Sequence, residues 1–128
     1  MPNYAAGIIC SLIMALSPYS TAQDVDFEQS SCTIIYSLNG AAHQYFNDEI
    51  KQLNQSIVRQ SVLFIDLNHW QKSKPHMKVS GRTRNLLREK YQLPSNINQT
   101  VVINHRGELI SRHSGAVTLV NSLLDCQQ

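Results

Sequence analysis

The sequence predicts one α/β domain in which helices sandwich a central mixed sheet, with the element order β-α-β-α-β-β-α. Three observations carry that prediction. Two short, nearly continuous apolar runs, 32–38 and 62–67, flank a segment whose apolar residues recur at helical spacing. A threonine, valine and isoleucine run at 100–103 is followed by a turn sequence and a second strand-like run at 108–112. The chain has 128 residues, 42% hydrophobic and 16% charged, which suits one globular domain rather than two domains or a disordered chain.

The first segment does not belong to that domain. Residues 1–22 contain no Lys, Arg, Asp or Glu. Within them AAGIICSLIMAL, 5–16, is an apolar and small-residue run, shorter than the ~20 residues a bilayer span needs. Ser17-Pro18 breaks the run, and Ser20 and Ala22 place small residues at −3 and −1 of a cleavage after Ala22. This is the layout of a secretory signal peptide, with only the amino terminus as its positive charge. The competing assignment is a buried helix. Cys10 is not a lipidation site, because Ile9 precedes it where a small residue is required and it opens the apolar run. Cleavage leaves residues 23–128 with every charged residue and no second long apolar run, hence no membrane span. Residues 23–31 form a loose polar lead-in, and 32–128 form the domain.

The domain opens with CTIIYSL, 32–38, a buried β-branched strand ended by Asn39-Gly40. In 41–60, Ala42, Phe46, Ile50, Leu53 and Ile57 lie on one face of a helix that Asn39 would cap. VLFIDL, 62–67, is the second strand. A buried strand, a helix and a buried strand make a βαβ unit with parallel strands. Residues 68–80 are irregular. GRTRNLLREKY, 81–91, reads as a helix with Leu86, Leu87 and Tyr91 inward, stopped by Leu93-Pro94. The strands at 100–103 and 108–112 enclose Asn104-His105-Arg106-Gly107, the signature of a type I turn with a bulge at glycine, so they form a hairpin. Residues 116–126 make the closing helix, with Val117, Val120, Leu123 and Leu124 as its apolar stripe.

This order, with REKYQL at 88–93, TVVINHRGELI at 100–110 and Ser114-Gly115 before a short helix, resembles the thioredoxin-like superfamily across residues 32–126. The short, signal-bearing chain is also similar to the bacterial family called domain of unknown function 4174. That likeness implies a mostly periplasmic protein without a redox motif. The residues agree on the last point. A thioredoxin-type oxidoreductase needs two thiols where the first helix begins, so that the helix dipole lowers the attacking thiol's pKa and the second resolves the mixed disulfide. Here that turn reads Asn39-Gly40-Ala41-Ala42. The cis-proline of the redox members should precede the hairpin strand, but Gln99 stands there and Pro94 comes too early. Disulfide exchange and thiol peroxidase chemistry are therefore excluded. Cys32 and Cys126 sit at the start of the first strand and the end of the last helix. In an oxidising compartment they would pair. The alternative is one buried and one frayed free cysteine.

Among the five histidines, His105 and His113 are too far apart along the hairpin to share an ion. His69 and His76 share a loop with Trp70 but lack a nearby acid or thiol, so no metal and no cofactor are expected. The net charge of +2 does not call for nucleic acid. It conceals a basic stretch, Lys72, Lys74, Lys78, Arg82, Arg84, Arg88 and Lys90, opposed by Glu89 alone. That stretch reads either as a solvated helix and loop or as a surface for an anionic partner. No Gly-x-Ser-x-Gly elbow, P-loop or Rossmann glycine pattern occurs. The resemblance places the turn after the first strand, the loop after the second and the turn before the hairpin at one end. That gathers Asn39, Gly40, His43, His69, Trp70, Asn98 and Gln99, where ligands collect in α/β sheets. Trp70 there marks either a binding surface or a residue packing its own loop. The expected function is a secreted, periplasmic, non-redox binding or accessory module. Its partner class would be an envelope protein or an anionic surface. The alternative is an enzyme of unrecognised class using His43 or His69 as acid-base groups.

Overall fold

The computed structural model describes residues 27, 30–71, 75–115 and 119–127. The expected signal peptide 1–22, most of the expected lead-in, Lys72, Lys74 and Val117 lie outside the described residues. The described elements are β1 (Cys32–Ser37), α1 (Gly40–Gln52), α2 (Asn54–Arg59), β2 (Val62–Asp66), α3 (Gly81–Tyr91), β3 (Gln99–Asn104), β4 (Leu109–Ser114) and α4 (Leu119–Cys126). The sheet order is β2-β1-β3-β4. β1 and β2 are parallel, with Tyr36 opposite Asp66. β3 runs antiparallel to both β1 and β4. A parallel βαβ unit joined to an antiparallel hairpin, with a helix between and a helix to close, is the thioredoxin-like fold that the sequence implied.

Alternation along β1 divides the core. Ile34 and Tyr36 join Phe46, Ile50, Ile57, Phe64, Leu119 and Leu123 on the face covered by α1, α2 and α4. Ile35 joins Ile65, Leu67, Leu87, Tyr91 and Leu93 on the face covered by α3. Both faces are dry, which is why β1 and β2 read as continuous apolar runs. The hairpin turn follows its sequence: Asn104 Oδ1 accepts from the N–H groups of Arg106 and Glu108, and Gly107 takes φ +81°.

Three details correct the sequence reading. The predicted single helix 41–60 bends at Leu53 (φ −101°, ψ 16°) into α1 and α2. Leu53 still donates to Glu49 and accepts from Ile57, so the apolar face continues across the bend. On α3 the buried residues are Thr83, Leu87 and Tyr91, one stripe at i, i+4 and i+8, and Leu86 is exposed. On α4 they are Leu119, Ser122 and Leu123, while Val120 and Leu124 face solvent. The disulfide between Cys32 and Cys126 (Cα–Cα 5.6 Å) sets that rotation, because Leu119, Ser122 and Leu123 share a face with the tethered Cys126.

The outer edge of β2 is occupied. Phe64 N–H donates to Pro75 O (3.0 Å) and Phe64 O accepts from Met77 N–H (2.7 Å), making an isolated parallel bridge with His76.

Candidate functional site

Asp66 is the unusual residue of β2, a carboxylate in an otherwise apolar strand. Its side chain is 1% exposed. A buried carboxylate must be met by donors, and here its partners come from the turn after the strand and from α1. Oδ1 accepts from the main-chain N–H groups of Asn68 (3.1 Å) and His69 (3.0 Å), so the chain turns back on the strand end. Oδ2 accepts from Gln71 Nε2 (3.0 Å) and meets His43 Nε2 at 2.6 Å. That turn carries the His69 ring over the His43 ring, with centroids 3.8 Å apart. His69 Nδ1 lies 4.0 Å from Asp66 Oδ1. His43 is 13% exposed and His69 51% exposed, so the trio runs from the interior to the surface.

A polar chain continues inward. His43 lies one helical turn before Asn47, whose Nδ2 approaches the His43 ring nitrogens at 3.1 and 3.3 Å. Asn47 Oδ1 accepts from Tyr36 OH (2.6 Å), which also meets His76 Nε2 at 2.6 Å. Burial, with the Asp66 charge nearby, holds the Tyr36 phenol far above its usual pKa, so it remains protonated. A cleft of about 290 Å³ lined by Asn47, Lys51, Asn54, Gln71, Pro75 and His76 opens beside this chain. A shallower depression on the other side is lined by residues that include Asn39, Asn68, His69 and Arg88.

Most of the predicted surface is brought together at the carboxyl ends of β1 and β2. Asn39 takes the N-cap position of α1 but makes no side-chain capping bond. Partners across the end compete for it: its Nδ2 donates to Ser95 O (2.9 Å), and Asn98 Oδ1 accepts from its main-chain N–H (2.9 Å). Gly40 follows at φ +56°, a conformation that favours glycine. Gln99 turns away, toward Arg112 (3.2 Å). Trp70 is 48% exposed. Arg84 lies 4.6 Å and Lys78 5.4 Å from its ring centre, a cation–π pair.

Arg88 does not extend the basic surface. Its guanidinium donates to Leu67 O (2.7 Å), Asn68 Oδ1, Leu93 O (3.0 Å) and Ser37 Oγ (3.1 Å), tying α3 to the ends of β1 and β2. Burial and the Arg84 charge lower its pKa. Arg82 is exposed, and Lys72 and Lys74 lie outside the described residues.

Sequence reasoning missed Asp66, Asn47 and Asn68, and found no acid near His69. The signal for Asp66 was its place in VLFIDL, since a buried charge is rare without partners. Asn47 stands four residues after His43, but the apolar stripe beside it drew the reading. A second constellation, Ser111, His113 and Asp125, is not a nucleophile–base pair. Ser111 Oγ (2.6 Å) and His113 Nε2 (2.7 Å) both bond Asp125 Oδ2 rather than each other.

No family model matches the chain, and no curated protein matches it. Among solved structures, one described as Trgpx in apo form aligns at a TM-score of 0.45 and 12% identity, covering 79% of this chain and 84% of that one. AhpC of Mycobacterium tuberculosis aligns at a TM-score of 0.43 and 9% identity, covering 75% of this chain and 70% of that one. These comparisons give no support to the narrower likeness to domain of unknown function 4174. The described chain is a thioredoxin-like α/β domain whose His43–Asp66–His69 centre stands where the strand-to-helix turn carries no thiol.

Proposed function

We propose that this protein is a secreted, periplasmic, non-redox member of the thioredoxin-like class that works as a binding or accessory module. Its working surface is the end of the sheet that holds His43, His69, Trp70 and Asn39. The observation that carries this reading is the position of sulfur. Cys32 and Cys126 are joined to each other at the start of β1 and the end of α4. That is the opposite end from the β1–α1 turn, where exchange chemistry needs its thiols. The signal-peptide layout of 1–22 supports secretion, as does the disulfide, which persists in oxidising compartments.

Two experiments test the reading. Amino-terminal sequencing of the protein recovered from its native envelope is expected to begin at Gln23. Insulin reduction driven by dithiothreitol is expected to proceed no faster with the protein than without it. Catalysed reduction, abolished by Cys32→Ser, would overturn the non-redox assignment.

The His43–Asp66 pair beside a cleft favours one second reading, an enzyme using His43 or His69 for proton transfer. Paired Trp70→Ala and His69→Ala variants separate the two. A module loses partner capture in both, whereas an enzyme loses turnover in His69→Ala and keeps its fold.

A further inference from the structure

We propose that His43, Asp66 and His69 form a binding site for one divalent first-row transition-metal ion of the zinc class. The proposal names a ligand for the working surface just described and rests on that surface as the functional end. The ligand atoms of the three side chains lie within 4.8 Å of one another. Two imidazoles and one carboxylate are a ligand set that zinc and its neighbours accept, with one or more positions left for water or substrate.

The three ligands come from separate parts of the chain: the first turn of α1, the end of β2 and the loop after it. The carboxylate is already oriented. Asn68 and His69 N–H groups hold Oδ1, and Gln71 holds Oδ2, which is the outer support that metal-binding carboxylates require. Metal–ligand bonds of about 2.0–2.2 Å require ligand atoms somewhat over 3 Å apart. His43 Nε2 at 2.6 Å from Oδ2 is closer than that, and His69 Nδ1 at 4.0 Å from Oδ1 is farther. A metal would replace the His43–Asp66 hydrogen bond and draw in the half-exposed His69 ring by rotation of its side chain.

Asn47 completes the argument. A histidine that binds metal through Nε2 must carry its proton on Nδ1 and needs an acceptor there. The Asn47 amide stands between Tyr36 OH and the His43 ring, 3.3 Å from Nδ1 and 3.1 Å from Nε2; turned over, it would offer its oxygen to Nδ1. In the turned state Tyr36 OH accepts from Asn47 and donates to His76 Nε2. The open depression that His69 lines, with Asn39, Asn68 and Arg88, lets a small molecule approach the outer ligand.

The test uses the full chain, stripped with chelator and titrated calorimetrically with Zn2+ alone, then with Co2+ under visible absorption. The expected result is one equivalent bound with micromolar or tighter affinity, and a d–d band that records nitrogen and oxygen ligands. His69→Ala should weaken binding at least tenfold, with unchanged circular dichroism because that ring is half exposed. Asp66→Asn and His43→Ala should weaken it further than His69→Ala does. His113→Ala and His105→Ala should leave it unchanged. No saturable binding at 1 mM Zn2+, or affinity unaltered in His69→Ala, overturns the site. Neither outcome bears on insulin reduction or partner capture, so the metal site and the non-redox reading can fail separately.

Discussion

Reducing the Cys32–Cys126 bridge should cost this domain a large part of its stability. The two cysteines are separated by 94 positions. In the chain-entropy account, closing a loop of that length lowers the entropy of the unfolded chain enough to stabilise the fold by about 4.7 kcal/mol at 25 °C. Measured values often fall short, so about 3–5 kcal/mol is expected. Little is regained in the native state, because Cys32 is fully buried and each free thiol would act as a small apolar group in place. With a urea m-value of about 1.5–2 kcal/mol/M, the midpoint should drop by about 2 M on reduction. The melting temperature should fall by roughly 15–25 °C. The m-value should rise as well, since an unfolded chain freed of its cross-link exposes more surface. The assay is urea unfolding followed by circular dichroism, with and without a phosphine reductant, beside a Cys32→Ala/Cys126→Ala variant. Midpoints within about 0.3 M of each other would refute the reasoning. So would two alkylated thiols at Cys32 and Cys126 in denatured, unreduced protein.

Three other outcomes follow from the structure. Arg88→Ala should destabilise the domain by about 3 kcal/mol, because two main-chain carbonyls, Asn68 and Ser37 lose a charged donor together; Arg88→Lys should recover only part of this, read by the same urea titration. Burial raises the Tyr91 phenol to about 12, so the stability it contributes is complete below pH 10 and lost as pH rises toward 12. Tyrosinate absorbance should show one phenol titrating near 12 that is absent in Tyr91→Phe, and that variant should lose about 1 kcal/mol with its bond to Gly107 O (2.8 Å). The Ser111 hydroxyl and His113 hold the Asp125 carboxyl below its usual range, so its contribution is present above about pH 4 and lost as pH falls through the lowered value. Asp125→Asn should cost about 1 kcal/mol at neutral pH and flatten the acid limb of the stability profile; an unchanged limb would assign acid unfolding to other groups.

The strands were legible because both faces of β1 and β2 are covered, which forces apolar, β-branched runs that only a buried strand tolerates. The hairpin was legible because Asn104 and Gly107 meet backbone demands that few residues satisfy. The rotations of α3 and α4 were less so. Leu86 and Leu124 are apolar and helical in spacing, yet they face solvent, because Tyr91 and the tethered Cys126 decide which side each helix turns inward. The site was half legible. His43 and His69 could be placed at one end from the resemblance to the thioredoxin-like order. Their joining through Asp66 depends on the chain doubling back so that Asn68 and His69 donate to one carboxylate, and spacing alone carries no sign of such a turn. Arg88 looked like a surface charge beside Arg84; its long stem reaches acceptors that exist only once β1, β2 and α3 are assembled.

The segment that runs along Phe64 limits how this end can recognise anything. Extended peptides commonly join a sheet by pairing with an open edge, borrowing affinity from main-chain hydrogen bonds. At β2 that mode is pre-empted, since Pro75 and Met77 already bond Phe64 and His76 anchors the strap through Tyr36. Whatever docks beside His69 and Trp70 must be read by side chains and by shape. A guest presenting only a bare backbone has no strand there to extend.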